Sequence, residues 1–214
     1  MSLPAAISGY MKSPAQNKIK MVIGVTGNFG SGKTTVANIL RACAATVIDA
    51  DRISRRFLAY GTPTYRRIIR IFGRKILKKD RTIDRAKLAA LVFRNKKMLD
   101  KLNRLIHPQV IRMIKGKIRS AKSSMIVLDA PLLIEAGLKE MVDKLIVVKI
   151  SRKEQIRRLR AKTGLGKKEI LQRIKAQLAQ SKKARLADFI IDNNATIAQT
   201  KKQVEEIRRS LWKS

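Results

Sequence analysis

The stretch Gly27-Asn28-Phe29-Gly30-Ser31-Gly32-Lys33-Thr34 decides the fold, because it matches the pattern G-x-x-x-x-G-K-[ST] at every fixed position. An apolar run from Met21 to Val25 precedes it and predicts a buried strand, while the residues from Lys33 to Ala42 predict a helix after it. Glycines in such a junction allow successive backbone N–H groups to face inward, and the helix adds the positive end of its dipole. The sequence therefore predicts a loop that binds phosphate groups.

The side chains of this loop predict that the phosphates belong to a nucleoside triphosphate. Lys33 is expected to reach the β- and γ-phosphates, the Thr34 hydroxyl to bind Mg²⁺, and Thr35 to support the α-phosphate side. The loop does not decide between ATP and GTP. Its predicted nucleotide-binding residues are Asn28, Phe29, Gly30, Ser31, Gly32, Lys33, Thr34 and Thr35.

Strand and helix patterns alternate along the rest of the chain. Further buried strands are predicted at 45–48, 125–128, 145–150 and 189–191. Ser151, with Glu154 three residues later, predicts the start of a helix that Gly164 ends; a basic helix at 167–183 and a final helix at 197–212 follow. Such alternation predicts an α/β protein, a five-stranded parallel sheet with helices on both faces. Together with the loop at 27–34, this predicts the P-loop nucleoside triphosphate hydrolase/kinase fold.

The length of 214 residues suits one domain. Residues 1–18 contain Pro4, Gly9 and Pro14 without sustained periodicity, so we expect a loose N-terminal extension before a domain at 19–214. The single Cys43 excludes an intramolecular disulfide, and no stretch has the roughly 18 consecutive apolar residues of a membrane span. With no signal-peptide pattern at its start, the chain is expected to be cytoplasmic and to have no membrane partner.

Charge is the unusual feature of the composition. The chain has 49 Lys and Arg against 15 Asp and Glu, a formal net charge of +34. The basic residues are dispersed along nearly every predicted helix, which favours a solvated surface, although attraction of an anionic substrate and nucleic-acid binding stay open. Only 4% of the residues are aromatic, which argues against a platform for stacked bases.

Aspartates follow two of the predicted strands, at the edge where open α/β sheets bind their ligands. The run Val47-Ile48-Asp49-Ala50-Asp51 ends in a carboxylate that could orient an acceptor hydroxyl and accept its proton. A helix cap is the alternative for both Asp49 and Asp51. Asp129, which ends the run Ile126-Val127-Leu128-Asp129, has the form of an acid that binds a metal ion.

Two further residues have a pattern that leaves their role open. Glu135 follows Asp129 by six positions and is expected either to contact substrate or to cap a helix. His107 is the only histidine and precedes Pro108 in a helical region, where a structural role is the usual expectation. Without further His or Cys ligands, no zinc site is expected.

Taken in order, these pieces resemble the dephospho-coenzyme A kinase family from residue 21 to about residue 205. Members of this family phosphorylate the ribose 3′-hydroxyl of dephospho-coenzyme A with ATP and Mg²⁺, which is the last step of coenzyme A biosynthesis. The resemblance rests on the loop at 27–34 and on Val47-Ile48-Asp49-Ala50-Asp51, Phe72-Gly73, Ile83-Asp84-Arg85, Ile106-His107-Pro108, Pro131-Leu132-Leu133-Ile134-Glu135, Gln155 with Arg158, Gln177 with Lys183, and Ala187-Asp188-Phe189-Ile190-Ile191-Asp192-Asn193.

The resemblance implies a role for several acceptor-side residues. Asp51 would be the catalytic base, and Arg85 and His107 would help to hold the acceptor in a helical substrate-binding insertion at 52–122. Leu133 and Glu135 would be further substrate contacts. The substrate-binding residues implied in this way are Asp51, Arg85, His107, Leu133 and Glu135.

On the donor side, the resemblance implies a helical lid at 151–186. Lys33 and Arg158 would act on the phosphates as catalytic residues, Asn193 would lie near the ATP base, and Thr34 with Asp129 would hold the metal. The segment 152–185 contains 13 Lys or Arg and 2 Glu, and cations over two polyanionic ligands stabilise the charge of phosphoryl transfer. The lid cations expected to contact ligand are Arg158, Lys162 and Lys183.

Two residues depart from the family pattern, and two other functions stay open. Lys162 stands where a second lid arginine is usual and lacks its planar fork, and Arg81 stands where a turn glycine is common. The alternatives are another P-loop nucleoside or nucleotide kinase and a basic nucleic-acid-binding P-loop protein. The expected partner is the small molecule dephospho-coenzyme A, and no specific nucleic acid is expected. The protein is expected to be a monomer, with an oligomer as the alternative.

Overall fold

The computed structural model of the protein describes residues 20–93 and 95–211, and for Phe93 and Lys96 it describes the backbone alone. The loose extension predicted at 1–18 and the predicted helix end at Trp212 lie outside the described residues. Within them the chain alternates between strands and helices, as the sequence predicts.

Five strands form one parallel sheet in the order β2-β3-β1-β4-β5. The first strand along the chain therefore lies at the centre, and the acidic ends of β2 and β3 lie side by side, with Asp49 in register with Asp129. This confirms the predicted fold class. The strands are β1 (Met21–Thr26), β2 (Thr46–Asp49), β3 (Met125–Asp129), β4 (Lys144–Lys149) and β5 (Phe189–Asp192).

Nine α-helices lie among the described residues. Four of them occupy the long connection from β2 to β3, and three lie between β4 and β5. None of the described helices is both long and apolar enough to cross a membrane. The helices are α1 (Lys33–Ala42), α2 (Ala50–Phe57), α3 (Pro63–Phe72), α4 (Arg85–Phe93), α5 (Lys96–Ser120), α6 (Arg152–Thr163), α7 (Lys167–Lys175), α8 (Gln180–Arg185) and α9 (Ile197–Leu211).

The sheet is buried on both faces because side chains alternate along each strand. On β1, Val22 packs with the helices of the β2–β3 connection, while Ile23 packs on the opposite face with α1 and α9. The same alternation places Leu145 in the first cluster and Ile146 in the second. Two apolar cores therefore pack against the two faces of the sheet and fix the positions of the strand ends.

Helix boundaries follow the capping residues that the sequence contains. The Ser151 hydroxyl accepts from the Glu154 N–H and starts α6, and Gly164 ends it with a left-handed φ of 68°. Asp84 caps α4 through the N–H groups of Ala86 and Lys87. The start at Ser151 and the end at Gly164 confirm the predicted signals.

The prediction of a single basic helix at 167–183 is wrong in one respect. The structure has two helices, α7 and α8, separated by a four-residue connector at 176–179. The break has a physical cause, because polar groups of Gln177 and Leu178 bond to groups outside the helix. Helical periodicity alone does not reveal such tertiary competition.

Candidate active site

The phosphate loop (residues 27–34) joins β1 to α1, as its motif predicts. Gly30 and Gly32 have φ values of 77° and 90°, in the left-handed region that favours glycine. A side chain at Gly32 would also overlap the amide nitrogen of Asn193. The loop therefore needs a glycine at this position for backbone conformation and for space.

Asn193 and Thr200 hold the loop from the side of β5 and α9. The Asn193 amide donates to the Ser31 carbonyl at 2.8 Å, and its oxygen accepts from the Thr200 hydroxyl at 2.8 Å. Asn193 is buried, with 5% of its surface exposed. The predicted base-binding residue thus lies beside the loop, but its amide is engaged by the loop backbone.

A cavity of about 600 Å³, here called the donor cavity, opens over the phosphate loop. All nine predicted nucleotide-binding residues line it, so the structure brings this part of the predicted site together. Asp51, Arg158 and Lys162 also border the cavity. The nine residues are Asn28, Phe29, Gly30, Ser31, Gly32, Lys33, Thr34, Thr35 and Asn193.

Lys33, which lines the donor cavity, forms an ion pair with Asp129, which does not line it. The Lys33 Nζ lies 3.4 Å from Oδ1 of Asp129, whose residue is 6% exposed. Burial raises the pKa of the Asp129 carboxyl above its ordinary value, although Lys33 opposes the shift. The same Oδ1 atom is buried, and within the described part of the chain it makes no hydrogen bond of good geometry besides this ion pair with Lys33.

Asp51 lies in the first turn of α2, whose start is set by a neighbouring acid. The Asp49 carboxylate accepts from the Arg52 N–H at 2.8 Å and caps the helix, so the cap alternative is correct for Asp49. Asp51 makes no such cap and instead borders the donor cavity. Burial raises the pKa of its carboxyl, with Lys33 acting in the opposite direction.

Asp51 also borders a second, mainly apolar cavity of about 100 Å³, here called the acceptor cavity. It is therefore common to the walls of both cavities. His107 on α5 lies in the acceptor cavity wall, where burial lowers the pKa of its imidazole. The other lining residues are Ala50, Ser54, Ile106, Val110, Ile111, Ala130, Leu132, Ala136 and Leu138.

The structure separates two predicted acceptor contacts from this cavity. Leu133 is fully buried in the core, and its neighbour Leu132, 43% exposed, lines the cavity in its place. The reason is that consecutive side chains of this segment face opposite ways. Arg85 is exposed at the start of α4 and does not line the acceptor cavity, although its charge opposes the rise in the pKa of Asp51 that burial causes.

Glu135 contacts protein groups rather than a cavity. Its Oε1 lies 2.9 Å from the Nζ of Lys183 and accepts from the Leu178 N–H at 3.0 Å. The Lys183 side chain is 0% exposed, so the expectation that it reaches ligand from the lid is wrong in this conformation. Its ammonium contacts Pro131 and Glu135 in the segment after β3 instead.

Arg158 borders the donor cavity from α6 and is held in place by three acceptors. Its Nε donates to Glu154 at 2.6 Å, and one terminal nitrogen donates to the carbonyls of Asn194 and Ala195 at 3.2 Å each. Lys162, one turn further along α6, borders the same cavity. The predicted lid therefore contributes two cations to the donor side.

Residues that fix the phosphate loop from the lid were not assigned a role by sequence reasoning. Gln177 accepts from the Phe29 N–H at 2.7 Å, and Gln155 donates to the Phe29 carbonyl. Asn28 donates to the Leu178 carbonyl at 3.1 Å. Both glutamines belong to the family resemblance, but only the tertiary structure places them against the loop.

The sheet order, with a phosphate loop after its central strand, defines a protein of the P-loop nucleoside triphosphate hydrolase/kinase class. The dephospho-CoA kinase family model (CoaE) matches residues 21–199. A dephospho-CoA kinase of Carboxydothermus hydrogenoformans is 44% identical over 195 residues, which is 90% of this chain and 94% of the relative. The chain belongs to the dephospho-CoA kinase family.

Solved structures agree with this assignment. A Thermus thermophilus crystal structure is similar with a TM-score of 0.83 and 29% identity, covering 91% of this chain and 99% of that one. A dephospho-CoA kinase from Campylobacter jejuni gives 0.64 and 26%, covering 90% and 97%. In both comparisons the similarity covers about nine-tenths of this chain.

Proposed function

We propose that this kinase transfers the γ-phosphate of ATP to the ribose 3′-hydroxyl of dephospho-coenzyme A, giving ADP and coenzyme A. The observation that carries the proposal is the position of Asp51, which borders both the donor cavity and the acceptor cavity. A carboxylate at that junction can contact an acceptor hydroxyl while the phosphate loop holds the donor. Family membership supports the identity of the acceptor.

In this mechanism Asp51 orients the hydroxyl and accepts its proton as the oxygen attacks phosphorus. Lys33 and Arg158 stabilise negative charge on the phosphoryl oxygens, since both border the donor cavity. The backbone of the phosphate loop binds the remaining phosphate oxygens. Catalysis is therefore mainly positioning and charge stabilisation, and no covalent enzyme intermediate is required.

Mg²⁺ is the metal that this site fits. Thr34 borders the donor cavity, and the buried Oδ1 of Asp129 contacts only the Lys33 ammonium among the described groups. One hydroxyl and one carboxylate oxygen suit Mg²⁺, which binds through one or two protein oxygens together with phosphates and water. When bound, it would neutralise charge on the phosphates.

The acceptor side is proposed to lie in the helical segment at 52–122, with His107 and Leu132 contacting the acceptor. The helices at 151–186 would act as the lid, with Arg158 and Lys162 over the phosphates. Closure of such a lid excludes water and limits ATP hydrolysis. Substrate and reaction both imply a cytoplasmic enzyme without a membrane partner.

A panel of acceptors tests the proposal. ATP consumption with Mg²⁺ would be measured in the presence of dephospho-coenzyme A, adenosine, AMP, CMP or shikimate. We expect rapid turnover with dephospho-coenzyme A alone. Turnover with only another acceptor would reject the assignment in favour of a different small-molecule kinase, and tight nucleic-acid binding without any phosphoryl transfer would reject a kinase function.

A further inference from the structure

The buried ammonium of Lys183 on α8 is used by no step of the mechanism above. Its Nζ donates to the Pro131 carbonyl at 2.7 Å and lies 2.9 Å from the Glu135 carboxylate, with its side chain 0% exposed. Burial lowers the pKa of Lys183, and Glu135 opposes that shift. A buried ion pair is seldom a net gain in stability, because removing two charges from water costs several kcal/mol. The alternative to a stabilising role is that the pair positions the chain segments it joins.

The contacts of this pair lead to the phosphate loop. Glu135 also accepts from the Leu178 N–H at 3.0 Å, and the Leu178 carbonyl accepts from Asn28 at 3.1 Å. The next residue back, Gln177, accepts from the Phe29 N–H at 2.7 Å. The connector at 176–179 is therefore bonded on one side to Glu135 and on the other to the loop that binds phosphate.

The same pair fixes a segment that borders both cavities. The segment at 130–136, here called the wall segment, places Pro131 in the donor cavity wall and Leu132 in the acceptor cavity wall. Lys183 bonds to the carbonyl of Pro131, the residue between Ala130 and Leu132 of the acceptor cavity wall. One buried cation thus joins the wall segment to α8, while Glu135 joins it to the connector.

We propose that Lys183 and Glu135 are positioning residues, which set the distance between the phosphate donor and the acceptor hydroxyl. The inference rests on the proposed function. Phosphoryl transfer depends steeply on this geometry, since a misplacement of about 1 Å can lower the rate by about 100-fold. The Lys183–Glu135 pair acts through the wall segment and the connector, and does not itself contact a substrate.

Replacement of Lys183 by methionine tests the proposal, because methionine keeps an unbranched stem and removes the ammonium. We expect Lys183→Met to lower kcat by at least about 20-fold, while the ATP dissociation constant changes by less than about threefold. Lys182→Met is the matched control, since Lys182 is exposed on the same helix and its replacement removes the same charge. Its kcat should stay within about twofold of the unmodified enzyme.

Glu135→Gln supplies a second variant in case Lys183→Met folds poorly. Glutamine keeps an oxygen for the Leu178 N–H and the Lys183 ammonium but removes the charge, so a smaller loss of kcat is expected with unchanged ATP binding. The double variant should lose little more than Lys183→Met alone, because the charge of Glu135 has no ammonium to pair with once Lys183 is replaced.

Two results would overturn the positioning role. One is a kcat for Lys183→Met equal to that of Lys182→Met. The other is a loss of kcat that runs in parallel with lost ATP binding and a lower melting temperature in both Lys183→Met and Glu135→Gln, which is the pattern of a merely structural pair. Each variant is compared with the unmodified enzyme on dephospho-coenzyme A, so failure of the proposed function appears separately, as absence of turnover in the unmodified enzyme.

Discussion

Two aspartates two positions apart, Asp49 and Asp51, have different roles because α2 begins between them. Asp49 precedes the first helical residue and caps the helix, whereas Asp51 lies in the first turn and borders both the donor cavity and the acceptor cavity. The sequence predicts both roles as alternatives for each residue. Only the helix start, fixed in the folded chain, assigns one role to each.

We predict that Asp51→Asn lowers kcat by at least about 100-fold, because asparagine cannot accept the proton of the acceptor hydroxyl. ATP binding should change little, since the loop and Lys33 are retained. Asp49→Asn is the control: asparagine also caps helices, so kcat and the melting temperature should stay near those of the unmodified enzyme. Steady-state kinetics and ATP titrations measure both. Full activity of Asp51→Asn would remove that residue from the catalytic step.

The pH dependence of kcat/KM follows from the surroundings of Asp51. A base works in its deprotonated form, and burial raises the pKa of this carboxyl above its ordinary value, so on acidification kcat/KM should fall at a higher pH than an ordinary aspartate would give. The charge of Asp49 contributes to the raised pKa. Asp49→Asn should therefore move the acidic limb to lower pH; a shift to higher pH would contradict the assignment of the limb to Asp51.

The residues that sequence reasoning placed less well lie where orientation matters. Leu133 and Leu132 are chemically identical neighbours, and only the packing of the segment after β3 decides that Leu133 is in the core and Leu132 faces the acceptor cavity. The wrong expectation for Lys183 has the same cause, since the sequence of a basic helix does not indicate which of its lysines is buried against Glu135.

Among the elements, the phosphate loop was the most predictable, because its motif specifies backbone geometry as well as chemistry. The connector at 176–179 was the least predictable. Its residues suit a helix locally, yet Gln177 and Leu178 bond to the loop and to Glu135. Local propensity is weak beside such tertiary contacts.

We predict that Gly32→Ala lowers ATP affinity by at least about tenfold, because alanine disfavours the left-handed conformation and its methyl group would displace Asn193. Gly116→Ala is the control for a glycine without such a constraint. Gly116 lies inside α5 with open space around it, so alanine should leave ATP binding unchanged and stabilise the fold by about 0.5–1 kcal/mol. Calorimetric ATP titration and thermal unfolding distinguish the two; unchanged affinity in Gly32→Ala would contradict the role of the loop.

For the whole molecule, the fold class was accessible from the sequence because five buried strands alternate with helices, whereas the strand order came only from the structure. The use of the +34 charge was not accessible from the sequence either, since dispersed cations fit a solvated surface as well as substrate attraction. The structure gives part of the charge a place, with Lys33, Arg158 and Lys162 bordering the donor cavity. Most of the basic residues have no such assignment.

We predict that kcat/KM for dephospho-coenzyme A falls severalfold when ionic strength rises from about 0.05 M to about 0.3 M, because salt screens the attraction of an anionic substrate to a cationic protein. The value of kcat should change much less, since bound substrate is already positioned. A kcat/KM that is independent of salt would show that the surface charge serves solvation alone.

The account as a whole requires that a phosphoryl group passes from the phosphate loop to an alcohol beside Asp51. Phosphorus NMR of the reaction of ATP, Mg²⁺ and dephospho-coenzyme A follows that transfer. We predict a new phosphomonoester on the ribose 3′-oxygen, formed in the same amount as ADP. Release of inorganic phosphate with ADP and no new ester, or an ester on a different hydroxyl, would contradict it.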